Sequence, residues 1–309
     1  MIIEEIPPAL AGERLDRVVS LLADITRSEA AALVADGFVQ VDGAPSLVGK
    51  VRLVVGMQIV IDESGVPGPA DPEPDASVPC NVVYADDDVI VIDKPVGQVV
   101  HPGAGNPTGT LVNGLLARYP DIAGVGEQGR PGIVHRLDIG TTGLLVVART
   151  QDAYESLVGA LAERSVTREY LALVWGHPEA NQGVIDAPLG RDPRDPLRMA
   201  IVASGRPART RFEVVERFGR PRVTLVRCRL ETGRTHQIRV HLEGTGHPVV
   251  GDATYGGARS QIHLDRPFLH AARLAFTHPA TGERREFESP LPADLQHILD
   301  GLHSGALEQ

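Results

Sequence analysis

Residues 135–149 read HRLDIGTTGLLVVAR. The stretch holds one carboxylate, Asp138, framed by Arg136 and Arg149, and passes through Gly140-Thr141-Thr142-Gly143 into an apolar run over residues 144–148. Such a run, entered through a glycine-containing turn, predicts a buried strand. A carboxylate at the mouth of that strand sits where a rigid scaffold commonly presents a functional group. Partial burial disfavours the charged form of any carboxylate, so an ionised group there calls for a nearby cation or several donors. Arg136 and the arginines of residues 227–239 are available for that. On spacing alone a structural ion pair fits slightly better than catalysis.

The same triplet, Arg-Leu-Asp, occurs at residues 14–16. Asp16 lies beside Arg17 in a helical pattern with apolar positions Leu15, Val18, Val19 and Leu22, and is predicted to point at solvent. Thr26 and Ser28 can cap a second helix over residues 29–35, which Gly37 stops. Residues 38–41 alternate into an Asp42-Gly43 turn, and residues 51–61, rich in β-branched side chains, are expected to form a strand. So short a segment has little room for a buried active site. Residues 1–62 therefore read as a docking module, and residues 63–80, ESGVPGPADPEPDASVPC, with five prolines and no apolar period, as an extended linker.

The remainder, residues 81–309, opens with a strand at 82–84, an acidic turn Asp86-Asp87-Asp88 and a strand at 89–92. A helix is expected over 152–164, with Tyr154, Leu157, Val158 and Leu161 on its apolar face. Strands follow at 170–174 and 223–230, the second alternating Val226, Cys228 and Leu230 against Arg227 and Arg229. Strands outnumber helices and mostly meet at turns. That pattern predicts an α+β domain on a largely antiparallel, mixed sheet flanked by helices and loops.

The net charge of −10 argues against a nucleic-acid partner, but its distribution does not. Residues 206–239 carry ten arginines against Glu213, Glu216 and Glu231. A phosphate-facing surface and a plain solvated strand face account for that surplus equally well. No apolar run approaches the roughly 18 residues of a membrane span. The N-terminus carries two glutamates where a secretory signal has basic residues, and Cys80 and Cys228 form no metal or redox spacing, so a cytoplasmic location is expected. There is no Walker loop, Rossmann fingerprint, HExxH or GxSxG. His236 and His241, five apart, share no face of a helix or strand, which makes metal ligation a weak reading. Cofactor-free chemistry on a carboxylate is what remains.

HRLDIGTTGLLVVAR resembles the signature of the RluA-type pseudouridine synthases, HRLD followed by a few variable residues and TSGLLV. Three further segments match in the family's order. They are Lys94-Pro95-Val96-Gly97 leading to His101-Pro102, the stretch TREYLALV at 167–174, and LETGRTHQIRVH at 230–241 continuing to GHPVVGD at 246–252. The end, FLHAARLAFTHPATGERREFESPLPADL, is also similar, so the likeness spans residues 82–295. Residues 13–61 resemble an S4 RNA-binding domain, as found ahead of the catalytic domain in the RluC and RluD branch, with Gly56-Met57 where Gly-Asp is usual. Thr142 stands for the usual serine and Arg168 for the usual lysine, which is expected to tune geometry without loss of chemistry.

The resemblance implies an enzyme that breaks the bond from a uracil base to ribose C1′, turns the base, and rejoins it through C5. Asp138 matches the essential aspartate, Arg239 the arginine that pairs with it, and Tyr170 the aromatic that packs on the target base and relays protons. Whether the aspartate attacks C1′, adds to the ring or assists a glycal route is left open. Arg136 is expected to occupy the space vacated by the base or to meet a phosphate. Arg234 and His236 are read as RNA contacts or as scaffold around Asp138, and Lys94 as holding a loop. The S4-like module is expected to bind RNA through Arg14, Arg17, Arg27 and Ser28. The implied substrate is large-subunit ribosomal RNA, handled by a monomer without cofactor, metal or membrane. An assembly factor on an inactive catalytic fold would lack Asp138, Tyr170 or Arg239, and all three are present. A glycosidase would want a second carboxylate facing Asp138, and these motifs hold none.

Overall fold

The computed structural model describes residues 1–23, 25–65, 71–103 and 105–306. Residues 66–70 of the expected linker lie outside the described residues.

The first 62 residues form β1 (Ile2–Glu5), α1 (Leu15–Ala23), α2 (Arg27–Ala35), β2 (Val39–Val41), β3 (Ala44–Pro45) and β4 (Gln58–Ile61). The strands make an antiparallel sheet in the order β1-β4-β2-β3. The predicted apolar stripe of α1, Leu15, Val18, Val19 and Leu22, is buried with Leu33 and Val34 of α2 and with Val39, Ile59 and Ile61 of the sheet. Thr26 caps α2 in a reciprocal box with Glu29, so the helix starts two residues earlier than expected and Ser28 is an exposed residue inside it. Asp42 and Gly43 both take positive φ, 50° and 78°, which suits the tight β2–β3 turn. The strand expected over 51–61 is broken in two: residues 58–61 pair in the sheet, Arg52 makes only an isolated antiparallel bridge to Arg14, and between them Gly56 turns the chain at φ 85°, with Val54 and Val55 exposed.

The large unit contains β5 (Val82–Ala85), β6 (Val89–Lys94), α3 (Leu111–Arg118), β7 (Thr142–Ala148), α4 (Gln151–Ala162), β8 (Thr167–Trp175), β9 (Gln182–Asp186), β10 (Leu189–Asp192), β11 (Asp195–Ile201), β12 (Arg209–Phe218), β13 (Val223–Leu230), α5 (Gln237–Gly244), β14 (Leu269–Thr277), β15 (Arg284–Glu288) and α6 (Ala293–His303). Its main sheet runs β5-β6-β7-β14-β8-β13-β12-β9, with β15 added to β14 and β10-β11 as a separate hairpin. Every pairing of the main sheet is antiparallel except β7 with β14. This is the α+β, largely antiparallel, mixed sheet that the sequence predicted. All seven residues of β7 are buried, and β13 alternates as expected, Val226, Cys228 and Leu230 inward against exposed Arg227 and Arg229.

Two local features set the frame of the sheet's centre. Gly143 takes φ 108° where β7 meets β14, and a Cβ there would lie 2.3 Å from the Ala271 carbonyl oxygen, so no larger residue fits this approach. The Thr142 hydroxyl meets Nδ1 of buried His270 at 2.9 Å, and Nε2 of that ring meets the Ser289 carbonyl at 3.0 Å. The proline-rich stretch is not all free linker. Asn113 on α3 donates to the Glu73 carbonyl at 2.7 Å, the Asp75 N–H returns a bond to the Asn113 carbonyl at 2.9 Å, and Gln98 donates to Pro79 O at 2.8 Å. Residues 73–79 are thus tied to the large unit by side-chain amides that a reading of composition cannot weigh.

Candidate active site

Asp138 lies in the loop entering β7. Its carbonyl accepts the Thr141 N–H at 3.0 Å, closing a turn. Arg266 fixes that turn from the far side: Nη1 donates to the Gly140 carbonyl at 3.2 Å, while Nε and Nη2 grip Asp294 in the first turn of α6 at 2.7 and 2.9 Å. The Asp138 side chain is 24% exposed, and its Oδ2 accepts Nη1 of Arg239 at 3.2 Å. Among the described residues no protein group bonds Oδ1.

Arg239, on α5, is held independently of Asp138. Nε and Nη2 donate to the two oxygens of Asp252 at 2.6 and 2.9 Å, the fork-to-carboxylate geometry that only a guanidinium offers. Asp252 is fully buried and also accepts the N–H groups of Thr254 and Tyr255 at 3.1 and 3.2 Å. The Tyr255 ring centroid lies 4.9 Å from the guanidinium carbon, and the Tyr255 hydroxyl meets His236 Nδ1 at 2.9 Å. Burial opposes charge on Arg239, but its bonds to Asp252 and the charge of Asp138 outweigh this and raise its pKa above the ordinary arginine value. One carboxylate therefore fixes the guanidinium through Nε and Nη2, and Nη1 is left to face Asp138.

Tyr170, on β8 opposite Cys228 and Ala271, is 4% exposed. Burial pushes its phenol up to about 12, with Arg168 opposing and Asp138 adding, so it is a neutral O–H donor at ordinary pH. Asp138 and Tyr170 line one cleft of about 830 Å³, together with Arg136, Arg234 and His236. Arg239 stands behind the wall. Arg136 does not approach Asp138; its Nη2 donates to Thr235 Oγ1 at the rim. Lys94 is fully buried, with Nζ donating to the carbonyls of Pro95 and Gln98 at 2.9 Å each. Burial lowers its pKa to about 8, opposed by the charge of Asp138, so this lysine both ties the 95–98 loop and lends positive charge near the carboxylate. Of the expected apolar face of α4, Val158 lines the cleft and is 39% exposed, while Leu161 lines it and also packs against the core cluster that holds Leu157. Helix periodicity reports an apolar face and does not say whether protein or a ligand groove covers it.

The other predicted RNA contacts lie in the first unit, and three of them face carboxylates. Arg14 and Arg27 pair with Asp16, and Arg17 with Glu13 at 2.9 Å, while Ser28 is exposed. Asp16 does not point at solvent as expected; it is 3% exposed. The bond from Arg14, working against burial, lowers its pKa. The arginine-rich segment is similarly tempered. Glu231 collects Arg164, Arg209 and Arg211 at 2.8, 3.5 and 2.6 Å, and Glu213 faces Arg227 at 3.4 Å. Among the described residues, Asp86, Asp88 and His278 are close enough to share a cation. Asp86 already accepts from the Tyr84 hydroxyl at 2.5 Å and meets His278 Nε2 at 2.8 Å, so an internal network accounts for that cluster. Sequence reasoning missed Asp252 and Tyr255 as parts of the site; the only available signal was the position of Asp252 at the end of GHPVVGD.

The family model described as RNA pseudouridylate synthase matches residues 88–244. An "Uncharacterized RNA pseudouridine synthase" of Chloroflexus aurantiacus is 50% identical, the match covering 97% of this chain and 93% of that one. A "Ribosomal large subunit pseudouridine synthase D" of Vibrio parahaemolyticus is 43% identical over 96% of this chain and 93% of its own length. Among solved structures, "Human RNA Pseudouridylate Synthase Domain Containing 1" superposes with a TM-score of 0.56 at 30% identity, covering 75% of this chain and 98% of that one.

Proposed function

The chain belongs to the RNA pseudouridylate synthase family and is an RNA pseudouridine synthase, and on that premise we propose that it isomerises specific uridines of large-subunit ribosomal RNA with Asp138 as the essential carboxylate. The observation that carries this reading is the half-satisfied carboxylate: Oδ2 on Arg239 at 3.2 Å, Oδ1 without a partner among the described residues, in a cleft lined by Tyr170. A flipped-out uracil packs on the Tyr170 ring while the open oxygen of Asp138 acts on the nucleoside. Arg239, locked by Asp252, holds the carboxylate in one orientation without reorganising during the reaction. The isomerisation breaks N1–C1′, forms C5–C1′, releases the C5 hydrogen and leaves a proton on N1. The neutral Tyr170 hydroxyl is suited to relay that proton.

The substrate assignment rests on the ribosomal relatives. Residues 1–62 are read as an S4-like RNA-binding module with Arg14, Arg17, Arg27 and Ser28 as contacts, residues 63–80 as a linker tied down at its end, and residues 81–309 as the catalytic domain. Arg136, Arg234 and His236 engage RNA at the cleft mouth. The enzyme is a cytoplasmic monomer that needs neither metal nor cofactor. Among the described residues no helix is long and apolar enough to cross a membrane.

Tritium release from large-subunit ribosomal RNA transcribed with 5-labelled uridine tests the reading. The wild type is expected to release label, and Asp138→Ala to release none while still binding the transcript. Release by the variant at the wild-type rate overturns the role of Asp138, and wild-type release only from transfer RNA overturns the substrate.

A further inference from the structure

Three polar groups on the wall of the Asp138 cleft have no role in the geometry described so far. Arg168 lies on β8 two residues before Tyr170, so both side chains share one face of the strand. It is 6% exposed, its Nε is buried, and among the described residues its side chain has neither a hydrogen bond nor an ion pair. Packing holds it in place of a counter-charge: a Cβ added at Gly233 would come within 2.9 Å of Arg168 Nη1. The Thr141 hydroxyl, on a residue 2% exposed, and Nδ1 of His135 are also buried and unpartnered. His135 Nε2 accepts the Val146 N–H at 3.1 Å, so the proton of the neutral ring belongs on Nδ1. Burial, reinforced by the charge of Arg168, pushes that ring down to about 3 and keeps it neutral. All three residues line the cleft, and each holds a buried donor with no partner among the described residues.

A buried guanidinium without a carboxylate is costly, and its cost falls only when an anion arrives. Water satisfies a donor and leaves the charge unmatched. RNA presents anions at its phosphodiesters, and a phosphate brings several acceptor oxygens for the neighbouring donors. We propose that Arg168, with Thr141 and His135 on the same wall, is the seat for the backbone phosphate next to the uridine that packs on Tyr170. The seat rests on the RNA reading above. It gives that phosphate a pre-formed anion site inside the cleft, where the rim arginines give only an exposed field.

Three readouts test the seat. Affinity for a labelled single-stranded oligouridylate is measured from 50 to 200 mM salt for the wild type, Arg168→Met, Arg168→Lys and Thr141→Val. Thermal midpoints are taken without RNA, and tritium release is followed on transcribed large-subunit RNA. Arg168→Met is expected to bind about tenfold more weakly. Its slope of log affinity against log salt is expected to shrink by about 0.7, the signature of one lost phosphate contact on a single strand. Its midpoint should not fall, since an unmatched buried charge has been removed. Arg168→Lys should restore the salt slope, and Thr141→Val should weaken binding a few-fold with the slope intact. An unchanged slope in Arg168→Met overturns the seat, as does a lowered midpoint with unchanged binding. Failure of the wild type to release label sinks the substrate reading instead, and the salt slopes still report on the seat.

Discussion

Asp16 and Asp138 each follow an arginine and a leucine, yet their carboxylates end in opposite situations. Arg14 reaches both oxygens of Asp16, Nε donating to Oδ1 at 3.0 Å and Nη2 to Oδ2, and Arg27 adds a third contact at 3.4 Å. Gly49 packs over the residue so closely that a Cβ there would lie 2.9 Å from the Asp16 Cβ. Both oxygens are engaged, and the residue is only 3% exposed. Asp138 receives no help from its own triplet. Arg136 turns away to Thr235, and among the described residues the single ion pair comes from Arg239, 101 residues later. A carboxylate satisfied by its neighbour closes a module; one half satisfied from a distance is left with an oxygen to offer.

The contrast predicts opposite phenotypes for the same substitution. Asp138→Asn is expected to cut pseudouridine formation by at least about 10³-fold, measured by tritium release. The melting temperature should move by no more than a few degrees, because Asp252 still holds Arg239. A normal rate would mean that the open carboxylate is not the reactive one. Asp252→Asn should lower kcat by about 10²-fold, the scale of a misplaced catalytic group, with KM for RNA nearly unchanged. It should also cost about 3–5 kcal/mol in denaturant unfolding, since a buried guanidinium loses its fixed partner. If kcat holds, Asp138 orients Arg239 and the dependence runs the other way. Asp16→Asn should lower stability by about 1–3 kcal/mol and leave kcat alone. The folded pKa of Asp16 is depressed, so its stabilisation is present above the ordinary value of 3.8 and is lost as pH falls through the folded value. Between those two values the wild type should therefore show a stability slope that Asp16→Asn lacks in urea titrations at stepped pH.

Elements written in local pattern were legible. The alternation of residues 223–230, the Asp42-Gly43 turn and the run after Gly143 each name their structure within a few residues. The cleft's three principal residues could be named because their motifs carry a resemblance, and their meeting is a matter of long-range pairing. Asp252 was not legible. In Val-Val-Gly-Asp it reads as a turn residue, and its partner lies on α5, 13 residues earlier. The burial of Asp16 escaped for a related reason: a helical pattern marks its apolar face and cannot foresee which polar side chains a neighbouring loop will cover. The strand order β7-β14-β8 is likewise invisible in any window, since its registers join residues far apart in the chain.

That strand order bears on how the protein comes off the ribosome. β14, made of residues 269–277, is wedged between two strands completed by residue 175. At ordinary rates of synthesis the growing chain holds β7 and β8 for on the order of ten seconds before the strand that joins them exists. During that interval both present bare, apolar edges, the surfaces that pair with the wrong neighbour. The loop bearing Asp138 and the strand bearing Tyr170 belong to separate halves of a nascent sheet until the last quarter of the chain docks. Maturation at the catalytic centre is thus a late event, and C-terminal truncation before residue 277 should yield insoluble chains that never acquire activity.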